Sequence, residues 1–196
     1  FLLKDGRIET TLLDLTADTG PESPVIVPSL SAVSGNQLAV FTTGPTQFQY
    51  DRGNLVRELT EGREVRYLHS LRLDETLCRL DPQEESYYLA DLLSSTVALT
   101  DASGALGTTY TYEPFGQTAM AGLQTANPFQ YTGRERERSG LYYYRARYFD
   151  PTLGRFLTED PIKIMGTDLN FYAYVKNSPL NFTDPTGLLL LDCTRP

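Results

Sequence analysis

The sequence predicts a mostly β fold built from antiparallel β-hairpins, and three features of its composition support this. The 196 residues include 13 Tyr and 9 Phe but no Trp. Tyrosine favours strands and covers apolar surface while its hydroxyl stays hydrated. The 15 Gly and 12 Pro indicate many turns, and therefore short strands rather than long helices. Hydrophobic residues make up 40% of the chain, which is enough for a buried core and is not typical of a disordered protein.

The chain divides into four segments by motif and composition. Residues 1–45 form an irregular or β segment without a motif. Its short apolar runs, such as Val25–Val27, are typical of buried strands and leave open whether it belongs to the same sheet as the hairpins. Hairpins are expected over residues 46–126, the densest aromatic segment covers 127–188, and a tail follows at 189–196.

The first clear hairpin lies around residue 50. Tyr50 ends an alternating strand and is expected to point inward, while Asp51 caps the turn. Gly53 and Asn54 are expected to supply the positive-φ positions of a tight turn. A second turn is predicted at Glu61–Gly62.

Another hairpin is predicted over residues 96–112. The apolar run at 96–100 and the run at 105–112 are both typical of strands. Asp101 and Gly104 suit the first and last positions of a type I turn between them.

Residues 141–149 are predicted to form one strand with a period of two. Tyr142 and Tyr144 then lie on one side, and Arg145 and Arg147 on the other. The arginines of this region are expected to pair with carboxylates or to stack on aromatic rings. An aromatic face with arginines can also stack nucleobases. The net charge of −8 and the pI near 4.7 argue against nucleic acid as a partner.

The closing third of the chain contains three connected motifs. They are TYTYEPFGQ, NPFQYTGRERERSGLYYYRARYFDPTLGRFLTEDPI and DLNFYAYVKNSPLNFTDPTGL. Together with Tyr50-Asp51 and Gly53-Asn54-Leu55, they resemble the core region of RHS (rearrangement hot spot) proteins, the YD-repeat family. The resemblance implies hairpins that lie side by side as part of a spiralling shell. Residues 127–188 would then form a plug with short helical or irregular parts, which we call the plug segment.

The same resemblance implies a function and partners. The shell would enclose a toxic C-terminal domain in a bacterial effector that is secreted or injected, or that acts at the cell surface. Its partners would be its own upstream shell segments and the C-terminal cargo, with an immunity or delivery protein as a further partner. The chain lacks an initiator Met, so we expect a piece of a longer protein. The eight residues that follow Leu188 are too few for a toxin domain.

The two Asp-Pro motifs near the end are the candidate catalytic residues. In toxin-bearing members of the family they form an aspartyl-protease-like site that cuts its own chain. Carried over to this sequence, Asp160 and Asp184 would be the pair, and Arg155 would hold a carboxylate or polarise the carbonyl. The cut would fall between Leu188 and Leu189, and Gly187 would allow the backbone to approach the acids.

The chemistry and a purely structural role both fit these residues. Two neighbouring carboxyls share a proton, so one can activate water while the other protonates the leaving group. Asp-Pro is also a common turn former, which leaves a structural role open. Lys163 stands where the family often has Gly, and its ammonium would favour the ionised form of Asp160.

Other site chemistries find little support in the sequence. Cys78 and Cys193 are too far apart for a metal-site spacing, and the single His69 is expected to be structural, so we expect no metal and no cofactor. No stretch is apolar over enough residues to span a membrane. Three functions remain: a shell and plug that encloses a toxin, a self-cleaving aspartyl protease, and a surface recognition or adhesion module.

Overall fold

The computed structural model describes residues 2–4, 7–9, 29–31, 39–43, 46–51, 53–162, 170–188 and 190–192. The run at Val25–Val27 lies outside these ranges, as do Lys163 and Leu189. In the part described, no helix has the length and hydropathy needed to cross a membrane.

Strands dominate the described residues, with two short 3₁₀ turns at Tyr131–Gly133 and Val175–Asn177. In chain order the strands are β1 (Leu2–Lys4), β2 (Arg7–Glu9), β3 (Ser29–Ser31), β4 (Ala39–Thr43), β5 (Thr46–Asp51), β6 (Asn54–Thr60), β7 (Arg63–His69), β8 (Thr76–Leu80), β9 (Glu85–Ala90), β10 (Thr96–Thr100), β11 (Leu106–Tyr112), β12 (Thr118–Gly122), β13 (Glu135–Arg136), β14 (Tyr142–Tyr144), β15 (Arg147–Asp150), β16 (Arg155–Phe156), β17 (Phe182–Thr183) and β18 (Leu191–Asp192).

Strands β3 to β12 form one ten-stranded antiparallel sheet, which we call the wall. Each strand pairs with the next one along the chain, so the wall is a continuous series of hairpins. The predicted fold class is therefore confirmed. Strands β1 and β2 pair only with each other, β13 to β16 form a four-stranded sheet, and β17 pairs with β18.

Most of the predicted turns of the wall are found, with one correction. Glu61 and Gly62 have φ of 48° and 85°, as a tight hairpin requires. The Asp101 carboxylate accepts hydrogen bonds from the backbone N–H groups of Ser103 and Ala105 at 2.8 and 3.0 Å. Gly53 has φ of 83°, but Asn54 already belongs to β6 and pairs with the last residue of β5. The prediction that Asn54 is a turn residue is therefore wrong, because the turn lies one position earlier.

The prediction of one strand over residues 141–149 is also wrong. Tyr144 pairs with Arg147 across a tight turn, and Arg145 at its tip has φ of 57°. Directly paired residues of an antiparallel ladder share a face. Arg147 consequently lies on the same buried face as Tyr142 and Tyr144, and not opposite them as predicted.

The plug segment has an aromatic core. Its fully buried rings contact one another edge-on or tilted, with centroid distances from 4.6 to 6.4 Å. The hydroxyl of Tyr144 lies 2.6 Å from that of Thr132, and Tyr131 donates to the Pro114 carbonyl at 2.8 Å. These bonds matter because a buried hydroxyl without a partner is costly. The core rings are Tyr131, Tyr142, Tyr144, Phe149, Phe156 and Tyr174.

The plug segment packs against one face of the wall. Phe129 inserts into a second cluster with Leu55, Val65 and Tyr67, and its ring lies 5.1 Å from that of Tyr67 in an edge-on contact. The Thr96 hydroxyl of β10 donates to the Phe129 carbonyl at 2.8 Å. Both apolar burial and hydrogen bonds therefore join the two parts.

Candidate functional site

A buried guanidinium lies at the centre of the candidate site. Arg147 opens β15, and its side chain is 3% exposed. Its Nη2 atom lies 3.2 Å from Oδ2 of Asp160 and 3.3 Å from Oδ2 of Asp184. Because these contacts of 3.2 Å and 3.3 Å end on the same nitrogen, the two carboxylate oxygens lie no more than about 6.5 Å apart.

The remaining donors of Arg147 bind backbone. Its Nε donates to the Gly187 carbonyl, and its Nη1 donates to the Phe171 carbonyl at 3.1 Å. The guanidinium carbon lies 3.6 Å from the centroid of the Phe156 ring, a cation–π contact. Burial lowers the pKa of Arg147 from its ordinary value, and the two carboxylates oppose that shift. Arg147 thus binds both acids and the backbone next to the expected cut.

Asp184 begins a loop between two short paired strands. Phe182 pairs with Asp192 across β17 and β18, so residues 184–188, the Asp184 loop, lie within a hairpin. The buried Asp184 accepts a hydrogen bond at Oδ1 from the Leu188 N–H at 3.0 Å, and the Gly187 N–H donates to the Asp184 carbonyl at 3.2 Å. The carboxylate therefore caps its own loop with one oxygen and contacts Arg147 with the other.

Asp160 has the same double role. Its Oδ1 accepts from the Ile162 N–H at 2.9 Å, as in an Asx turn, while Oδ2 faces Arg147. Its side chain is 22% exposed, compared with 5% for Asp184. Each of the two carboxylates therefore accepts a hydrogen bond within its own turn and also contacts Arg147.

Arg155 occupies a different position. It is exposed on β16, and its guanidinium carbon lies 5.7 Å from the centroid of the Tyr172 ring. The cation that contacts both carboxylates is Arg147. The sequence did not indicate this role, because the prediction of one strand over residues 141–149 placed Arg147 on the face opposite Tyr144.

Gly187 lies close to the backbone of Tyr144. Its φ is +70°, and an added Cβ would lie 2.3 Å from the carbonyl oxygen of Tyr144. A side chain there would need both an unfavourable backbone conformation and a displaced neighbouring turn. The Asp184 loop therefore packs directly on the turn that joins β14 to β15.

A buried ionic cluster joins the plug segment to the wall. Asp74, in the connection between β7 and β8, accepts from Arg134 and from Arg145, each at 2.6 Å. Tyr50, the tyrosine of the Tyr-Asp motif, donates to Glu135 at 2.9 Å, whereas Asp51 is exposed. Burial raises the pKa of Glu135, and the positive charge of Arg134 opposes this. The prediction that arginines here pair with carboxylates is confirmed for Arg134, Arg145 and Arg147.

His69 and Cys78 are part of the wall. The Nε2 of His69 lies 2.7 Å from the Leu55 carbonyl, and its ring meets Phe129 edge-on at 5.5 Å. Burial lowers the pKa of His69, so the neutral ring is favoured. Cys78 is a buried free thiol. Over the described ranges, no three His, Cys, Asp or Glu side chains are grouped as a metal site would need.

Comparison with known proteins shows what the chain is similar to. No protein-family model matches it. The toxin subunit YenC2 of Yersinia entomophaga is 38% identical over 107 residues, which cover 52% of this chain and 11% of YenC2. The toxin protein Tse5 of Pseudomonas aeruginosa is 34% identical over 106 residues, covering 54% of this chain and 8% of Tse5.

Comparison with solved structures supports the same fold. The crystal structure of TcdB2-TccC3 matches 82% of this chain with a TM-score of 0.58 and 26% identity, and the match covers 8% of that much longer chain. The chain thus spans about a tenth of the length of these three proteins. Sequence motifs, the hairpin wall and these likenesses agree: the chain is similar to RHS-type toxin proteins, and its fold is similar to that of TcdB2-TccC3.

Proposed function

We propose that this chain is the closing part of a shell that encloses a toxic C-terminal domain. The supporting observation is that the plug segment packs on one face of a continuous ten-stranded wall. A single-layered wall buries apolar surface only where something covers it, and Phe129 with its cluster provides that cover over β6 and β7. Relatives named as toxins support the same role.

The partners follow from this role. Upstream segments of the same protein would continue the wall, and a domain beyond residue 196 would be the cargo. Export or injection from a bacterial cell, and an immunity or delivery protein as a further partner, belong to the same proposal.

Protection from protease tests the shell. In the full-length protein, a cargo placed after Pro196 should resist an added protease until urea unfolds the shell. Asp74→Ala should expose the cargo, because it leaves the buried Arg134 and the half-buried Arg145 without their carboxylate. Asp81→Ala is the matched control, since Asp81 also pairs with two arginines but lies within the wall. A cargo digested equally fast before and after unfolding would refute the shell.

A second function, a single self-cleavage, is favoured by the convergence of Asp160 and Asp184 on Arg147 beside the Gly187 carbonyl. Hydrolysis by such a pair requires one carboxyl in the ionised form and the other in the protonated form. The ionised carboxylate would then take a proton from water as the oxygen attacks the Leu188 carbonyl carbon. The protonated carboxyl would give its proton to the leaving amine of residue 189 as the C–N bond breaks.

A tag after Pro196 tests this cleavage. The wild-type chain should lose the tag, and Asp160→Asn and Asp184→Asn should each retain it. Asp150→Asn is the control, because Asp150-Pro151 is another Asp-Pro turn whose carboxylate accepts from Thr152 N–H at 2.7 Å on the surface. A tag lost equally fast from Asp184→Asn would exclude the carboxylate mechanism.

A further inference from the structure

We infer that Arg145 is a positioning residue that couples the seating of the plug segment on the wall to the conformation of the Asp184 loop. Under this inference, which rests on the proposed self-cleavage, the loop reaches its cutting geometry only when the wall is in place. The inference concerns Arg145 and its partners and not the Asp pair itself.

Arg145 contacts two separate connections of the wall. Its Nε donates to the Gly53 carbonyl at 3.1 Å, and its Nη2 donates to Oδ1 of Asn54 at 3.0 Å, both at the turn between β5 and β6. Its Nη2 also donates to Oδ1 of Asp74 at 2.6 Å, between β7 and β8. The guanidinium therefore occupies its position only when both wall connections are aligned with the plug segment.

The same turn of the plug segment binds the Asp184 loop in strict register. Arg145 Nη1 donates to the carbonyl of Pro185, the Ala146 N–H donates to that of Thr186 at 3.2 Å, and Arg147 Nε donates to that of Gly187. Three consecutive residues thus hold three consecutive carbonyls. In the contacts described, Arg145 is the member of this set that also reaches the wall.

The backbone of Arg145 explains why its contacts matter. Its φ of 57° is a left-handed conformation, which costs a non-glycine residue roughly 1–2 kcal/mol. Hydrogen bonds to the wall offset this cost. When Asp74 or the Gly53 carbonyl no longer holds the guanidinium, the turn can relax and the register with Pro185 to Gly187 is lost.

The expected consequence is an order of events. The chain would be cut only after the plug segment is seated, so a toxic cargo would be released from its covalent link only inside a closed shell. A partly folded chain would keep its cargo attached.

A pair of glycine substitutions isolates the contact. Gly53 and Gly62 have nearly the same φ, +83° and +85°, so alanine causes similar backbone strain at each. An added Cβ at Gly53 would lie 2.9 Å from Nε of Arg145, whereas at Gly62 nothing lies within 4 Å. Gly53→Ala should slow loss of a C-terminal tag by about 10–100-fold, as misplaced reacting groups do. Gly62→Ala should lose the tag at a rate within about twofold of the wild-type rate.

A pair of aspartate substitutions separates positioning from stability. Asp74 and Asp81 are both buried and each pairs with two arginines, but only Asp74 contacts Arg145. Asp74→Asn and Asp81→Asn should lower the urea midpoint of unfolding by similar amounts. Only Asp74→Asn should slow cutting, when both are measured at urea concentrations where the chains remain folded.

The outcomes distinguish this inference from the function on which it rests. A wild-type chain that keeps its tag refutes self-cleavage, and the role of Arg145 with it. If the wild type is cut but Gly53→Ala and Asp74→Asn are cut as fast as their controls, self-cleavage stands and the role of Arg145 is refuted. Slow cutting in both variants and normal cutting in both controls supports it.

Discussion

Replacing Arg147 with methionine would leave Asp160 and Asp184 facing each other without their shared cation. Methionine keeps the unbranched side-chain shape, so the change removes charge and hydrogen bonds more than packing. The carbonyls of Gly187 and Phe171 lose their donors at the same time. We therefore expect a large loss of stability from a single substitution.

The magnitude follows from the contacts. Two carboxylates no more than about 6.5 Å apart repel by at least ~2.5 kcal/mol at an effective dielectric constant of about 20. Removing one partner of a buried ionic group typically costs about 3–5 kcal/mol. The cation–π contact with Phe156 adds roughly 1–2 kcal/mol. Some of these terms overlap, so we expect a loss of about 3–5 kcal/mol at neutral pH.

Urea unfolding at two pH values measures this loss. The chain has 13 Tyr and no Trp, so tyrosine fluorescence reports the transition. Without the cation, mutual repulsion raises the pKa of the carboxyls in the folded variant. In the variant, the two carboxyls destabilise the folded chain least below their unfolded pKa near 3.9 and increasingly as pH rises above it. The loss of unfolding free energy relative to the wild type should therefore be smaller at pH 4 than at pH 8.

An exposed arginine on the next strand is the control. Arg155→Met should change the unfolding free energy by less than about 0.5 kcal/mol. A deficit for Arg147→Met as small as that of Arg155→Met, or one that is equal at both pH values, would show that Arg147 does not hold two ionised carboxylates together.

Three further predictions use the same unfolding assay. Burial raises the pKa of Glu58 above its ordinary value of 4.5, so the stability that Glu58 contributes is present below pH 4.5 and is lost as pH rises through the raised pKa. Glu58→Gln should therefore raise the unfolding free energy at pH 8 but not at pH 4. An equal effect at both pH values would contradict this. Phe156→Ala should cost about 3–5 kcal/mol, because the ring is fully buried, and a cost below 1 kcal/mol would be inconsistent with that packing. Gly187→Ala should lower the unfolding free energy by about 2 kcal/mol or more, because the new Cβ meets a backbone oxygen at 2.3 Å. Gly140→Ala has a similar φ but only a side-chain nitrogen at 3.9 Å, so it should lower the unfolding free energy clearly less. Equal losses in the two variants would exclude the clash.

The hairpins of the wall were predictable because their signals act between neighbouring residues. Alternation with a period of two marks strands, and Gly62 or Asp101 marks the turn that follows. The Asp-Pro motifs likewise marked turns, and in these cases the residue type and its immediate context carry the information. The pairing of Asp160 with Asp184 was expected only from the resemblance to RHS proteins.

The turn at Arg145 shows where this local reasoning fails. An alternating run of tyrosines and arginines is typical of one strand, and no glycine or proline indicates a turn within it. At this turn, Arg145 has φ of 57° and its guanidinium donates to the carbonyl of Gly53, which is 92 positions away in the chain. Such a contact exists only after the plug segment has docked.

Residue pattern and spacing therefore specify a tyrosine-rich hairpin wall and place two aspartates in turns near the end of the chain. The tertiary structure selects the cation between those aspartates, and it selects Arg147 rather than Arg155. Strand periodicity and turn propensity arise from interactions over a few residues. The choice of an ionic partner depends instead on which distant segments pack together, and on the desolvation that makes one buried pairing favourable there.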